Sequence, residues 1–381
     1  MPWGAHYPVS LWAAVPVNAR LRDMNSPATS DGVRLGEYTT LRLGGPATRV
    51  ITATTDEDLI AAVAKCDAAG EPVLLLGGGS NLVIADAGFS GTVVRIATDG
   101  ERVEPLDADR VSVEVAAGED WDSFVARSID AGLSGLESLS GIPGLVGATP
   151  IQNVGAYGWE VAEFLRWVRI CDRASGEVKT LDVDELGLAY RTSRFKGTDD
   201  AVVLSVCFAL YADGEGQPVR YAELARALDV SPGDRVPAAE VREAVLGLRR
   251  GKGMVLDEHD KDTWSAGSFF TNPIIAEADL PDVLARIADV VGDDVVVPRF
   301  PAASGVKLPA AWLIERAGFG KGYAGPGGRV ALSSKHTLAL TNRGEASTDD
   351  LLALAREVRD GVAERFGVTL RPEPLLIGCS L

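Results

Sequence analysis

Histidine is nearly absent from this chain, which has only His6, His259 and His336 in 381 residues. That scarcity removes the usual partner base of a nucleophilic serine or cysteine. The four cysteines, Cys66, Cys171, Cys207 and Cys379, are widely spaced, form no CxxC pair and lie in or beside apolar runs such as WVRICD and VLSVCFAL. Their spacing argues against a disulfide framework or a zinc site and predicts buried free thiols of a reducing compartment; no metal is expected. Basic residues are also short, with 37 Lys and Arg against 54 Asp and Glu and a net charge of −17. A field of that sign repels phosphate backbones, so nucleic acid is not an expected partner. An anionic ligand would have to be held locally, by oriented backbone N–H groups and a few placed cations. No apolar run is long enough to cross a bilayer, and no membrane partner is expected. The N-terminal PVSLWAAVPV is broken by Pro16 and preceded by no basic residue, which makes it a poor signal peptide and favours a cytoplasmic location.

What is present is an apolar fraction of 46%, enough for a substantial core divided into two or three domains. TTDEDLIAAVAKCDAAG carries a capping box, Thr54 with Glu57, then an apolar stripe at helical spacing and a stop at Gly70. EPVLLL follows as a buried strand, TVVRIA and VSVEVAAG as further strands, and WDSFVARSIDAG as a helix. Strands are expected at FLRWVRICD and AVVLSVCFALYA, and a helix at EVREAVLGLRRGKG after the boundary-like DVSPGDRVPAAE. The charged run DEHDKD reads as a solvated loop. Beyond it come helices including PAAWLIERAG, a strand at HTLALTN, the long helix DDLLALAREVRDGVAERFG and a final strand over VTLRPEPLLIGCSL. The fold class is α+β.

Between these elements, residues 132–158 (GLSGLESLSGIPGLVGATPIQNVGAYG) are too rich in glycine for a helix or strand and too apolar for a connector. A long ordered loop of this kind points to ligand binding. GGGSN, Gly77 to Asn81, is a glycine turn after a strand that could cradle a pyrophosphate or could be only a tight turn. It is not a Rossmann fingerprint, because Leu82 fills the third glycine position and no helix pattern follows. RGKG and FGKG lack the spacing of a P-loop, and SRFK, Ser193 to Lys196, matches the SxxK of acyl-serine enzymes without their other motifs. Arg191 within YRTSRFK could be a surface arginine on a strand edge. Glu373 within RPEPL, held between two prolines, could merely end a strand.

Taken in order, TTLRLGGPA, GGGSNLV, the 132–158 loop, YRTSRFK, SAGSFFTNP and RPEPLLIG closely resemble the UDP-N-acetylenolpyruvoylglucosamine reductase family, also called UDP-N-acetylmuramate dehydrogenase. The resemblance runs from about Thr39 onward, so residues before Met24 are expected to be a loose or adventitious extension. It implies a flavoenzyme with a two-part FAD-binding unit of the vanillyl-alcohol-oxidase-like type and a C-terminal α/β substrate domain. The implied boundaries are an extension at 1–30, FAD-binding subdomain 1 at 31–103 completed by 367–381, subdomain 2 at 104–255 and the substrate domain at 256–366. NADPH is the implied hydride donor, FAD the non-covalent carrier, and the enolpyruvyl ether of UDP-N-acetylglucosamine the acceptor. The product, UDP-N-acetylmuramate, feeds peptidoglycan synthesis. A monomer is the default expectation.

By match to the family's motifs, Ser268 is the implied proton donor, with Arg191 and Glu373 at the substrate carboxylate. A serine is a weak acid, but an enolate left by hydride addition is a strong enough base to take its proton without a histidine. Gly267 would permit close approach and Phe269 and Phe270 would exclude water. The FAD contacts carried over are Gly77, Gly78, Gly79, Ser80, Asn81 and Leu82, then Gly141, Ile142, Pro143, Gly144, Gly147, Ala148, Asn153, Gly155 and Ala156. Relatives often have a glycine where this chain has Ala148, and a glutamate where it has Arg371. The long interval between Phe195 and Phe270 accommodates the substrate loop of the longer subclass, in which Tyr190, Tyr221, Lys252 and Asn272 match substrate contacts. Two other classes remain: a sugar or alcohol oxidase on the same flavin fold, and a non-catalytic nucleotide-sugar sensor. The cofactor loops offer no His or Cys to tether a flavin, against the first, and a sensor would have no need of Ser268, Arg191 and Glu373 together.

Overall fold

The computed structural model describes residues 28–302 and 304–381, so the expected N-terminal extension lies, apart from its last three residues, outside the described residues. The chain opens with β1 (Ala28–Asp31), β2 (Ala47–Ala53), α1 (Asp56–Ala69), β3 (Val73–Leu76), β4 (Leu82–Ile84) and β5 (Phe89–Ile96). β1, β2, β5 and β3 form one sheet in that order, with β2 and β3 parallel to β5. Next come β6 (Glu101–Pro105), β7 (Arg110–Ala116) and α2 (Trp121–Asp130), then the long loop with the short strands β8 (Gly155–Ala156) and β9 (Trp159–Glu160). β10 (Leu165–Asp172), β11 (Val178–Asp182) and β12 (Ala201–Tyr211) join β7 and β6 in an antiparallel sheet ordered β11-β10-β12-β7-β6.

α1 is gripped between these two sheets. Its Leu59, Val63 and Cys66 pack with Ala53 and Val94 of the first sheet and with Cys171, Val202 and Leu204 of the second. Full burial of a leucine such as Leu59 contributes about 2 kcal/mol. The helix cap differs by one residue from the expected capping box. Thr55, not Thr54, is the N-cap, accepting the Asp58 N–H at 3.1 Å, because the helix starts at Asp56 and three carboxylates fill its first turn. The stop at Gly70 is as expected, with a left-handed φ of 63°. All four cysteines are free, three of them buried.

α3 (Ala222–Leu228) and α4 (Ala238–Gly251) lead to the last part of the chain. There β13 (Ile274–Ile275), α5 (Leu280–Val291), β14 (Phe300–Ala302), β15 (Gly305–Lys307), α6 (Ala310–Arg316), β16 (Val330–Leu332), β17 (Leu340–Asn342) and α7 (Thr348–Phe366) surround a core that includes Leu313, Leu340, Leu351 and Val358. The chain reaches β18 (Leu375–Ile377), which runs parallel to β4. The final strand is shorter than VTLRPEPLLIGCSL suggests, because Pro372 and Pro374 lack N–H groups while Val368 and Leu370 are drawn into the α7 core. DEHDKD is not wholly solvated. Asp262 is 6% exposed and accepts from Ser334 N at 3.1 Å and from Arg343 Nη1 at 2.8 Å. The N-terminus of α7 is fastened from outside, with the Asp86 carboxylate accepting the N–H groups of Thr348 and Asp349 at 2.8 and 3.0 Å.

Candidate active site

Three stretches far apart in sequence meet along one seam. Thr271 N–H donates to Arg371 O at 3.1 Å and Glu373 N–H to Phe269 O at 2.9 Å, a strand-like pairing outside any sheet. Leu375 N–H then donates to Asn81 O at 2.9 Å, which brings the glycine turn to the same place. Ser268 is thereby set close to Glu373 in the pairing. It is half-buried, follows Gly267 at φ 71°, and its hydroxyl has no hydrogen-bond partner among the described residues. Phe269 and Phe270 are 1% exposed with ring centroids 5.1 Å apart, and both belong to the core around α7. They pack behind the serine in that core.

Arg191 approaches from the other side. Its Nε lies 3.4 Å from Glu373 Oε1, its Nη1 donates to Asn153 O at 3.3 Å and its Nη2 to Gly155 O at 2.7 Å. It sits in a turn at φ 53°, not on a strand edge. Burial raises the Glu373 pKa above the ordinary carboxylate value, while the charges of Arg191 and Lys196 pull it back.

The glycine turn begins at the C-terminal end of β3, where the N–H groups of Gly78, Gly79 and Ser80 bond to no acceptor among the described residues. Side chains are excluded here on geometric grounds. A Cβ on Gly78 would lie 2.8 Å from Gly144 Cα, and one on Gly79, at φ 60°, would lie 1.9 Å from Tyr38 O. Ser80 Oγ donates to Pro143 O at 2.9 Å, clasping the turn to the 132–158 loop. That loop is packed, as its apolar content predicts: Leu136, Leu139 and Val146 are buried, and Trp121 Nε1 donates to Leu139 O at 3.0 Å.

Residues 258–377 match the C-terminal domain of UDP-N-acetylenolpyruvoylglucosamine reductase, and residues 47–182 match an FAD binding domain. The UDP-N-acetylenolpyruvoylglucosamine reductase of Saccharopolyspora erythraea is 62% identical over 361 residues, covering 94% of this chain and 98% of that one. The chain belongs to the UDP-N-acetylenolpyruvoylglucosamine reductase family. The enzyme of the same name from Nocardia farcinica is 60% identical over 351 residues, 92% of this chain and 90% of its own. The crystal structure of UDP-N-acetylenolpyruvylglucosamine reductase from Thermus caldophilus superposes with a TM-score of 0.61 at 26% identity, covering 92% of this chain and 98% of that one. The fold is therefore the two-part FAD-binding unit with a C-terminal α/β domain.

For a reductase of this family the residues present fit FAD. Free N–H groups in a turn that no Cβ could enter suit a pyrophosphate, and they let an acidic protein hold an anion through backbone dipoles. The other expected cofactor residues fall into distinct places. Gly141 donates its N–H to Asp122 Oδ1 at 2.5 Å, and Ile142 packs its side chain on the core of the second sheet. Gly144 O accepts from Trp121 N, and Gly147 lies so close to Ala117 that a Cβ would come within 2.5 Å of its Cβ. Ala148 is exposed. Asn153 uses its amide within the fold, donating to Glu160 Oε2 at 2.7 Å and Ala189 O at 3.1 Å and accepting from Ala162 N. Gly155 and Ala156 form β8, and Leu82 starts β4 with its side chain against the core of the first sheet.

The residues expected to contact substrate form two groups. Asn272 Nδ2 donates to Tyr190 Oη at 3.4 Å, and the Tyr190 ring lies between Lys307 Nζ at 4.6 Å and Arg191 Cζ at 5.3 Å. Tyr221, 52% exposed, meets the edge of Tyr157 at 6.4 Å, and Lys252 Nζ lies 5.8 Å from the Tyr157 ring while paired with Glu223 at 2.6 Å. Tyr157 and Lys307 were not found from the sequence. An aromatic between Ala156 and Gly158 in a ligand loop was a usable signal for Tyr157; it holds φ 51°. Nothing local marked Lys307, whose place depends on β15 folding beside Tyr190.

Proposed function

We propose that this protein reduces the enolpyruvyl ether of UDP-N-acetylglucosamine to UDP-N-acetylmuramate. FAD, held at the glycine turn and the 132–158 loop, would supply the redox chemistry between NADPH and the enolpyruvyl methylene. The observation that carries the assignment of roles is the seam that brings Ser268, Arg191 and Glu373 together beside the glycine turn. Hydride addition leaves a substrate enolate whose charge spreads onto its carboxylate. Arg191, fixed by the carbonyls of Asn153 and Gly155, offers a preorganised cation to that charge. Burial raises the Glu373 pKa, and this reading assigns its protonated form a hydrogen bond donated to the substrate carboxylate. Ser268, with an uncommitted hydroxyl, gives its proton to the carbon next to the carboxylate and is replenished from solvent.

In this reading Tyr190, Asn272, Tyr221 and Lys252 bind the UDP-sugar, with Lys252 exchanging Glu223 for the diphosphate. The same reading divides the chain into units at 31–103 with 367–381, 104–255 and 256–366, and the pairing of β18 with β4 supports the first of them. The product places the enzyme in peptidoglycan precursor synthesis, hence cell-wall growth, shape and division. The pools of NADPH and UDP-sugar favour a cytoplasmic enzyme, with a monomer as the default. An oxidase of the same fold is not favoured.

The test is one cuvette: an absorbance spectrum, anaerobic NADPH, then the enolpyruvyl substrate. A flavin spectrum that bleaches and then returns establishes both half-reactions. A colourless protein that takes up no added FAD would overturn the reading.

A further inference from the structure

SRFK belongs to no acyl-serine enzyme, yet the fold uses both its serine and its lysine around Arg191. A long side chain at φ 53° is strained and persists only where neighbours hold it. Ser193 Oγ donates to Ile151 O at 2.6 Å and accepts the Phe195 N–H at 3.1 Å, tying the turn to the cofactor loop. Thr192 and Ala189 exchange backbone bonds at 3.1 Å across the turn. Lys196 Nζ reaches back to donate to the carbonyl of Arg191 itself at 2.8 Å. The lysine thus closes the turn whose side chain lies 3.4 Å from Glu373, and brings a second positive charge to that buried carboxyl.

We propose that Lys196 is a positioning residue for the oxidative half-reaction: it holds the strained Arg191 turn and, through it, the guanidinium against Glu373. The inference rests on the assignment of Arg191 and Glu373 to the substrate carboxylate. The titratable groups bearing on Glu373 are Arg191, Lys196 and Tyr190, while Arg371 of the same segment is exposed. With Arg191 retained, loss of the Lys196 charge leaves burial less opposed, so Glu373 keeps its proton to higher pH. Since the protonated form is the working one, the alkaline fall in rate moves upward.

The experiment is anaerobic stopped flow on the NADPH-reduced holoenzyme mixed with the enolpyruvyl UDP-sugar, followed by flavin reoxidation across roughly pH 5 to 10. Flavin content and reduction by NADPH report whether each variant is folded. Lys196→Met and Lys196→Gln are expected to reoxidise about 10- to 100-fold more slowly, as a misplaced Arg191 fork requires, with the alkaline limb shifted upward. Lys196→Arg should return the limb to its original position. Glu373→Gln should abolish it. If Glu373→Gln abolishes the limb but neither neutral Lys196 variant moves it, Lys196 has no such role and the assignment of Glu373 stands. If Glu373→Gln leaves rate and limb unchanged, the assignment of Glu373 falls and the role of Lys196 falls with it.

Discussion

In the proposed reaction Ser268 gives up its proton without a partner base, since its hydroxyl has no hydrogen-bond partner among the described residues. Ser268→Ala should leave reduction by NADPH intact and slow reoxidation by substrate by about 10²- to 10⁴-fold; unchanged turnover in a stopped-flow trace would remove the proton-donor role. A different carboxyl carries the loop. Glu137 is wholly buried, accepts the N–H groups of Gly135 and Gln217 at 2.6 and 2.5 Å, and has its pKa raised by burial. A raised carboxylate contributes fully below its unfolded value of about 4.3 and less as pH rises through the folded value. The stability gap between wild type and Glu137→Gln should therefore narrow from pH 5 to pH 8 in urea titrations; a widening gap would reverse the sign. Of these residues, Ser268, Arg191 and Glu373 were legible through family motifs. Glu137 and Lys196 were not, because their partners, Gln217 N and Arg191 O, are backbone atoms without a sequence signature.

At the scale of elements, period and caps identified most helices and strands, and the misses were local. Thr54 and Thr55 are equivalent in a sequence, and only the start of α1 decides which caps it. β18 was overextended because alternation in VTLRPEPLLIG cannot show that α7 claims Val368 and Leu370 for its own core. Where a glycine is needed was legible in GGGSN; what needs it was not. Gly79→Ala should give protein with little bound flavin, since its Cβ would strike the Tyr38 carbonyl in a left-handed backbone; flavin stoichiometry after purification checks this. Ser347 caps α7 by accepting the Asp350 N–H at 3.0 Å. Ser347→Ala should lower stability by about 1 kcal/mol, read as a drop in Tm. A loss far below that would mean that Asp86, bonded to the next two N–H groups, suffices alone.

On the scale of the whole molecule, a net charge of −17 opposes the approach of both NADPH and the UDP-sugar. Raising salt from about 0.01 M to about 0.1 M shortens the Debye length from about 30 to about 10 Å. Association rates measured by stopped flow should then rise. A fall would show that the cations beside Tyr190 and Tyr157, Arg191, Lys307 and Lys252, outweigh the global field. The seam also sets an order of events. It ties Asn81 to Glu373 across 292 positions and Thr40 to Ser265 across 225. Contacts so distant along the chain close loops whose entropy must be met before they reward it, so they form late. After dilution from denaturant, helicity should return first, with the ability to quench added FAD and turn over substrate lagging behind it. The seam is expected to be the last part of this protein to fold.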